Sequence, residues 1–336
     1  MVWKLGGDAE GNVGGVAPQW ELALSQPLQQ QPVLDGVVVT AAWHGEVYGV
    51  DTKSGRRMWA VPTKDINSQP VVSGGLAHVY SWNGELTTID TRTGRVTWTN
   101  TGVLDSLAAD NGTLVTGSET EVASLDPGDG KARWTTKLKE KIVGSPALTK
   151  DTVFVSDKNG EVYALDLNTG TTRWSKPLLG ISNDQGPVTA GNTVVVATGK
   201  QIVALDTGSG KELWRRDFVV AGRNLLAASG LLIFKNTAGD DEALTALDVS
   251  DGTQKWSRVR SKTGDARVDG YLSASADRLY VAYDSEKLCA HRITHGTLLN
   301  CFPGINDLPG SAATSDGVYV NSHNQRLYYL RKDSFG

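Results

Sequence analysis

The sequence is poor in cysteine, in histidine and in charge of one sign, and each shortage removes a class of function. Its two cysteines, Cys289 and Cys301, stand apart, so it has no Cys-x-x-Cys metal pair. Its five histidines are scattered and form no His-Glu-x-x-His helix; His291 and His295 flank a turn and read as a surface hairpin. Lysine and arginine total 33 against 37 aspartates and glutamates, a formal net charge of −4, which favours neither nucleic acid nor anionic lipid. No apolar run reaches the roughly 18 residues of a membrane span. Gly-x-Ser-x-Gly and phosphate-loop elements are also missing. Residues 1–16 are glycine-rich and lack the apolar centre of a signal peptide, so they read as a flexible linker, with Met1 opening a processed or partial form.

Tryptophan, by contrast, is plentiful: ten, against nine tyrosines and five phenylalanines. Most of them recur in one phrase, seen at Glu161-Val162-Tyr163-Ala164-Leu165-Asp166-Leu167-Asn168-Thr169-Gly170-Thr171-Thr172-Arg173-Trp174. It reads as a strand, a tight turn and a second strand ending on an indole. Asp166 can accept hydrogen bonds from the amides ahead of it, and Gly170 can supply the positive φ that closes the hairpin. The spacing repeats as Asp51-Gly55-Trp59, Asp90-Gly94-Trp98, Asp126-Gly130-Trp134, Asp206-Gly210-Trp214 and Asp248-Gly252-Trp256, then degenerately as Arg292-Gly296-Asn300. The tryptophan steps from 59 onward are 39, 36, 40, 40 and 42 residues. A strand-built period near 40 means a propeller rather than a doubly wound sheet.

The phrase Ala164-x-Asp166-x-x-Thr169-Gly170-x-x-x-Trp174 resembles the tryptophan-docking repeat of the quinoprotein (PQQ-like) propeller family, and the resemblance covers residues 17 to about 331. That family includes quinone-dependent dehydrogenases, the propeller subunit of the outer-membrane barrel-assembly machinery, and sensor domains of bacterial receptor Ser/Thr kinases. Trp20 falls in phase, 39 residues before Trp59, with no hairpin before it, while residues 311–331 supply three strands without a fourth. The chain ends should therefore pair, giving an all-β, eight-bladed propeller of four-stranded antiparallel blades over 17–332, closed by the N-terminal strand. Trp20, Trp59, Trp98, Trp134, Trp174, Trp214 and Trp256 should pack between neighbouring blades. Blade seven loses its aspartate and tryptophan to Arg292 and Asn300. Cys289 and Cys301 lie in that hairpin, either as two buried thiols or as a disulfide that compensates for the missing indole and implies an oxidising compartment.

Candidate site residues fall on the loops entering each innermost strand. Gln69, Asn183, Asp184, Gln185, Arg223, Asn224, Arg267 and Asp269 would line a funnel mouth suited to a polar ligand, or simply hold water there. Trp43, His44 and Trp82 sit at hairpin tips, as interaction residues or as packing against a neighbouring blade. No catalytic residue, metal site or cofactor is expected: the blades are minimal, without the inserts and adjacent cysteines that the quinone enzymes carry. The resemblance implies a ligand-sensing or protein-interaction domain, read first as the extracytoplasmic sensor of a membrane-associated Ser/Thr kinase and alternatively as a barrel-assembly scaffold. Its partner would be a small polar ligand or a protein at the funnel mouth, in the periplasm or at the cell surface, with no nucleic acid and no membrane insertion by the chain itself.

Overall fold

The computed structural model describes residues 3–4, 16–25, 28, 33–34, 36–66, 69–102, 104–110, 112–178, 186–238, 241–260, 272–283, 287–303, 305 and 310–336. Its strands form eight antiparallel sheets: blade 1 (33–62), blade 2 (71–101), blade 3 (106–137), blade 4 (142–177), blade 5 (188–217), blade 6 (220–260), blade 7 (273–303) and blade 8 (310–331 with 20–23). Blade 4 shows the template: Ile142–Leu148 innermost, then Thr152–Asp157, Glu161–Asp166 and the outer Thr172–Pro177. The second strands are almost wholly buried because both faces meet other blades, so they read as continuous apolar runs such as Thr193–Ala197. The eight main apolar clusters correspond to the eight blade junctions.

The ring closes through the N-terminal strand. Trp20, Glu21, Leu22 and Ala23 pair antiparallel with Tyr329, Tyr328, Leu327 and Arg326, completing blade 8. Of residues 1–16, 1–2 and 5–15 lie outside the described residues. Trp3–Lys4 adds a parallel fifth strand to the outer edge of blade 6, and Val16 is buried in the cluster between blades 7 and 8.

The Asp–Gly–Trp spacing divides one job among three residues. Asp166 accepts from the amides of Asn168 and Thr169, both at 3.0 Å, and from the Thr169 hydroxyl. Gly170, at φ 72°, turns the chain back and leaves a bare surface for the preceding blade: a Cβ there would stand 2.5 Å from the Trp134 ring. Each indole thus lies on the turn glycine of the next blade and donates its Nε1–H to a carbonyl of that turn. Trp59 bonds Thr91 at 2.7 Å, Trp134 bonds Leu167 at 2.8 Å and Trp256 bonds Ile293 at 2.9 Å. Trp20 does the same across the closure, lying on Gly55 and donating to the Thr52 carbonyl. Two residues beyond the indole, Arg216 and Arg258 add a second latch, donating to the carbonyls of Gly252 and Asp251 and of Gly296 and His295.

One junction departs from this scheme. Between blades 7 and 8 the indole position is Asn300. Phe335, on a short 3₁₀ turn at 332–335, reaches back from blade 8 and is buried against Tyr280, their rings meeting edge to face at 5.5 Å. Cys289 and Cys301 are bonded to each other as directly opposed residues of the third and outer strands. The expectation that this bond makes up for the missing indole is corrected here. Adjacent residues of a strand face opposite sides, so Cys301 and its partner lie toward blade 6 while the Asn300 side belongs to the junction with blade 8. Phe335 on Tyr280, with Phe302 on Tyr328, brings aromatic rings together across that junction. Phe335→Ala is therefore expected to cost about 3–5 kcal/mol in chemical denaturation; a loss below roughly 1 kcal/mol would mean that other groups seal the junction.

Candidate functional site

Antiparallel order sends the chain to one face of the ring at every second-to-third-strand tip and every blade-to-blade loop. The Asp–Gly turns all fall on the opposite face. On the tip face, blades 1 and 2 differ from the others. Their tips carry Trp43 and Trp82, which remain 50% and 72% exposed, where blades 4, 5 and 8 have Lys158, Gly199 and His323. Trp43 stacks on exposed His44, ring centroids 6.3 Å apart. Neither indole is packed away against a neighbouring blade.

The backbone beneath these rings is held firmly. The Thr63 amide donates to the Gly45 carbonyl at 2.6 Å, the Trp82 amide to Asp65 at 2.9 Å and the Gly102 amide to Gly84 at 2.8 Å. Below Trp43, Tyr48 and Ser25 both donate to the Glu46 carboxylate. These bonds, Tyr48 first, hold the Glu46 pKa below its ordinary value, and burial pushes the Tyr48 phenol up to about 12. Lys64 pairs with Glu85 at 2.8 Å between the two tips. The result is a pair of exposed indoles on rigid turns, bordered by amides, an imidazole and an ion pair. Such a surface can dock a partner.

Of the funnel candidates, Gln69 is exposed on the loop entering blade 2. Asn183, Asp184, Gln185, Arg267 and Asp269 lie outside the described residues. Arg223 and Asn224 fall in the innermost strand of blade 6, Val220–Ala228, with their side chains outside the description, so that pair belongs to a strand rather than to an entry loop. His291 is buried rather than on a surface hairpin: Tyr283 lies 3.0 Å from its Nε2 and the Gly296 carbonyl 3.2 Å from its Nδ1. Only its neighbour His295 is exposed.

Two open depressions lie on the turn face. One of about 530 Å³ sits between blades 5 and 6, near Asn192, Ser229 and Asp248, whose carboxylate is already bonded to Ser250. The other, about 780 Å³, lies at the ring closure beside Tyr319, Tyr329, Arg278 and Lys53. Its cations are largely committed: Arg331 to Asp333, Lys332 to Asp277, and Arg278 to Asp277 and the Gly336 carbonyl. Among the described residues no three histidine, cysteine or acidic side chains cluster as a metal would need. The cysteines are bonded to each other twelve residues apart, and among the described residues no donor set fits a quinone with its metal.

The family model for outer membrane protein assembly factor BamB matches residues 9–108, 100–182 and 158–330. The chain belongs to that family. Among solved structures, this BamB-family chain is similar to BamB from Moraxella catarrhalis, with 16% identity, a TM-score of 0.76 and coverage of 94% of this chain and 99% of that one. It is also similar to the computationally designed protein Ika8, at 14% identity and a TM-score of 0.75, covering 95% of this chain and 100% of that one. The quinohemoprotein alcohol dehydrogenase of Comamonas testosteroni shares 12% identity at a TM-score of 0.73, over 98% of this chain and 78% of the enzyme. A search of curated protein sequences found no significant match. At such identities the structural likenesses establish the fold alone. Among the described residues no helix is long and apolar enough to cross a membrane.

Proposed function

We propose that this BamB-family propeller is a non-catalytic scaffold that binds a protein partner outside the cytoplasm, in the manner of an outer membrane protein assembly factor. The observation that carries this reading is the family match, whose segments together run from residue 9 to 330. The exposed indoles Trp43 and Trp82 supply the contact: aromatic side chains of this kind dominate interface energetics when they become buried. The Cys289–Cys301 bond agrees with an oxidising compartment. The kinase-sensor reading uses the same fold but relies on a ligand at the funnel mouth, with Asp269 and Arg223 as its contacts.

Two measurements separate these readings. The first is binding of the immobilised chain to purified barrel-assembly subunits of its source bacterium. The double variant Trp43→Ala/Trp82→Ala is expected to weaken capture at least tenfold, about 1.4 kcal/mol, with an unchanged melting temperature. The second is a thermal-shift panel of pyrroloquinoline quinone with calcium, nucleotides, sugars and cell-wall fragments. A ligand at a hundred times its dissociation constant would add about 2.7 kcal/mol, and none of the panel is expected to do so. A shift with the quinone would restore the enzyme reading; a shift with another compound, lost in Asp269→Ala or Arg223→Ala, would replace the scaffold with the sensor.

A further inference from the structure

Among the described residues every blade but the sixth, whose outer edge carries Trp3–Lys4, presents its outer strand as an open sheet edge, and open edges pair with other chains unless something blocks them. In seven blades the described outer strand contains a charged residue or a proline. Blade 1 has Arg57, blade 3 Arg133, blade 4 Lys176 and blade 5 Arg215; blade 6 has Arg258, blade 7 ends on Pro303, and blade 8 has Glu21. Blade 2 has neither. Its outer strand, Val96-Thr97-Trp98-Thr99-Asn100-Thr101, is neutral throughout and made almost entirely of β-formers, with Val96 40% exposed and Thr99, Asn100 and Thr101 all exposed.

The register identifies the groups this edge offers. The Gly102 amide bonds the Gly84 carbonyl, and Trp98, Asn100 and Thr101 stand opposite Thr88, Leu86 and Glu85. The alternation of an antiparallel ladder then turns the backbone of Asn100 and Trp98 inward and that of Thr99 and Thr101 outward. The outward Thr101 amide is covered by the Asn100 side chain at 2.8 Å, leaving Thr99 at the centre of the open edge.

We infer that this edge joins a second copy of the same chain, strand to antiparallel strand, about a two-fold axis through Thr99. The pairing is self-complementary. Thr99 meets Thr99 of the other copy and Thr97 meets Thr101, neutral β-branched pairs that favour an antiparallel edge. The cationic edges of blades 3 and 4 would instead bring like charges together across such an axis. An isologous contact of this kind closes at two copies and leaves Trp43 and the funnel loops free. It does not depend on the scaffold reading, because it uses the side wall rather than the tip face.

The test is sedimentation equilibrium over a wide concentration range, with hydrogen exchange of the outer strand followed alongside. The wild-type chain is expected to rise from 35.9 kDa to twice that mass, with the Thr99 amide becoming protected as it does so. Thr99→Arg places two like charges on the axis, and Thr101→Pro stiffens the end of the edge. The repeat already holds Arg215, Pro62 and Pro177 at the equivalent places, so the fold accommodates both changes. Both variants are expected to stay at the single mass, with wild-type circular dichroism, whereas the control Thr135→Arg on blade 3 dimerises as wild type does. A wild-type chain that keeps the single mass at every concentration overturns the inference, and so does a dimer that survives both edge variants.

Discussion

Trp214→Ala is expected to lower the unfolding free energy by about 3–5 kcal/mol, among the largest losses available to a single side chain in this molecule. The indole is buried between blades 5 and 6, donates to the Val249 carbonyl at 2.8 Å and lies on Gly252. Truncation would leave a cavity at the junction, orphan a buried carbonyl and remove the ring beneath Arg216, whose guanidinium lies 5.9 Å from its centroid. Trp214→Phe keeps most of the ring and loses the N–H, so about 1–2 kcal/mol is expected. Trp98→Ala, at a half-buried position, should cost less than Trp214→Ala. Guanidinium denaturation of the three variants provides the comparison. A cost below roughly 1 kcal/mol for Trp214→Ala, or equal costs for 98 and 214, would show that the docked rings are not what holds the blades together.

The second large effect is expected from acid. His78 and His291 are buried and neutral, and burial pushes both pKa values down to about 4 from 6.5. His78 has only Thr88 beside its Nδ1, with no partner at Nε2 near the Trp98 ring. His291 must keep its proton on Nδ1 to donate to the Gly296 carbonyl, leaving Nε2 to accept from Tyr283. The unfolded chain takes up these protons near pH 6.5 and the folded chain only near 4. The stabilisation is therefore complete above 6.5 and is lost as the pH falls from there to about 4. At about 1.4 kcal/mol per unit, each histidine accounts for on the order of 3 kcal/mol. The turn aspartates act in a separate window. Asp166, held down to about 2 by Arg173 and the Thr169 amide, and Asp248, held there by Ser250, favour folding above 3.8 and lose that contribution only at lower pH. Denaturation midpoints recorded between pH 7.5 and 4.5 should fall for the wild type and fall less steeply for His78→Leu. Parallel profiles for the two proteins would remove His78 from the explanation.

The blades were legible in the sequence because each repeat assigns one local task to one residue. Asp166 caps the turn, Gly170 bends it and Trp174 reaches the next blade, all within nine residues of chain. Closure was legible for the same reason: Trp20 stands in phase with the rings that follow it. The pairing of Cys289 with Cys301 follows from folding the chain about the 292–296 turn, and counting faces would have separated them from Asn300. Phe335 could not be found this way. It substitutes for Trp at a distance, meeting Tyr280 from the far side of the junction and outside the nine-residue phrase. His291 was misread because a turn predicts exposure, while its partner Tyr283 comes from the second strand of the same blade. The funnel residues Arg223 and Asn224 were assigned to a loop because the innermost strand of blade 6 begins earlier than in other blades, at Val220.

The closure of the ring also bears on the order of assembly. The four antiparallel strands of each of blades 1 to 7 come from neighbouring segments and can form one after another as the chain emerges. Trp20 to Ala23 must wait for Arg326–Tyr329, about three hundred residues later, and the last junction waits longer still for Phe335. Until then the molecule is an open arc with two raw ends, one bare strand at its start and an uncovered Tyr280 near its finish. Non-local pairings of this length are slow to form and exposed while they wait, so the period just before ring closure is when the nascent propeller is most open to chaperone, protease or a wrong neighbour.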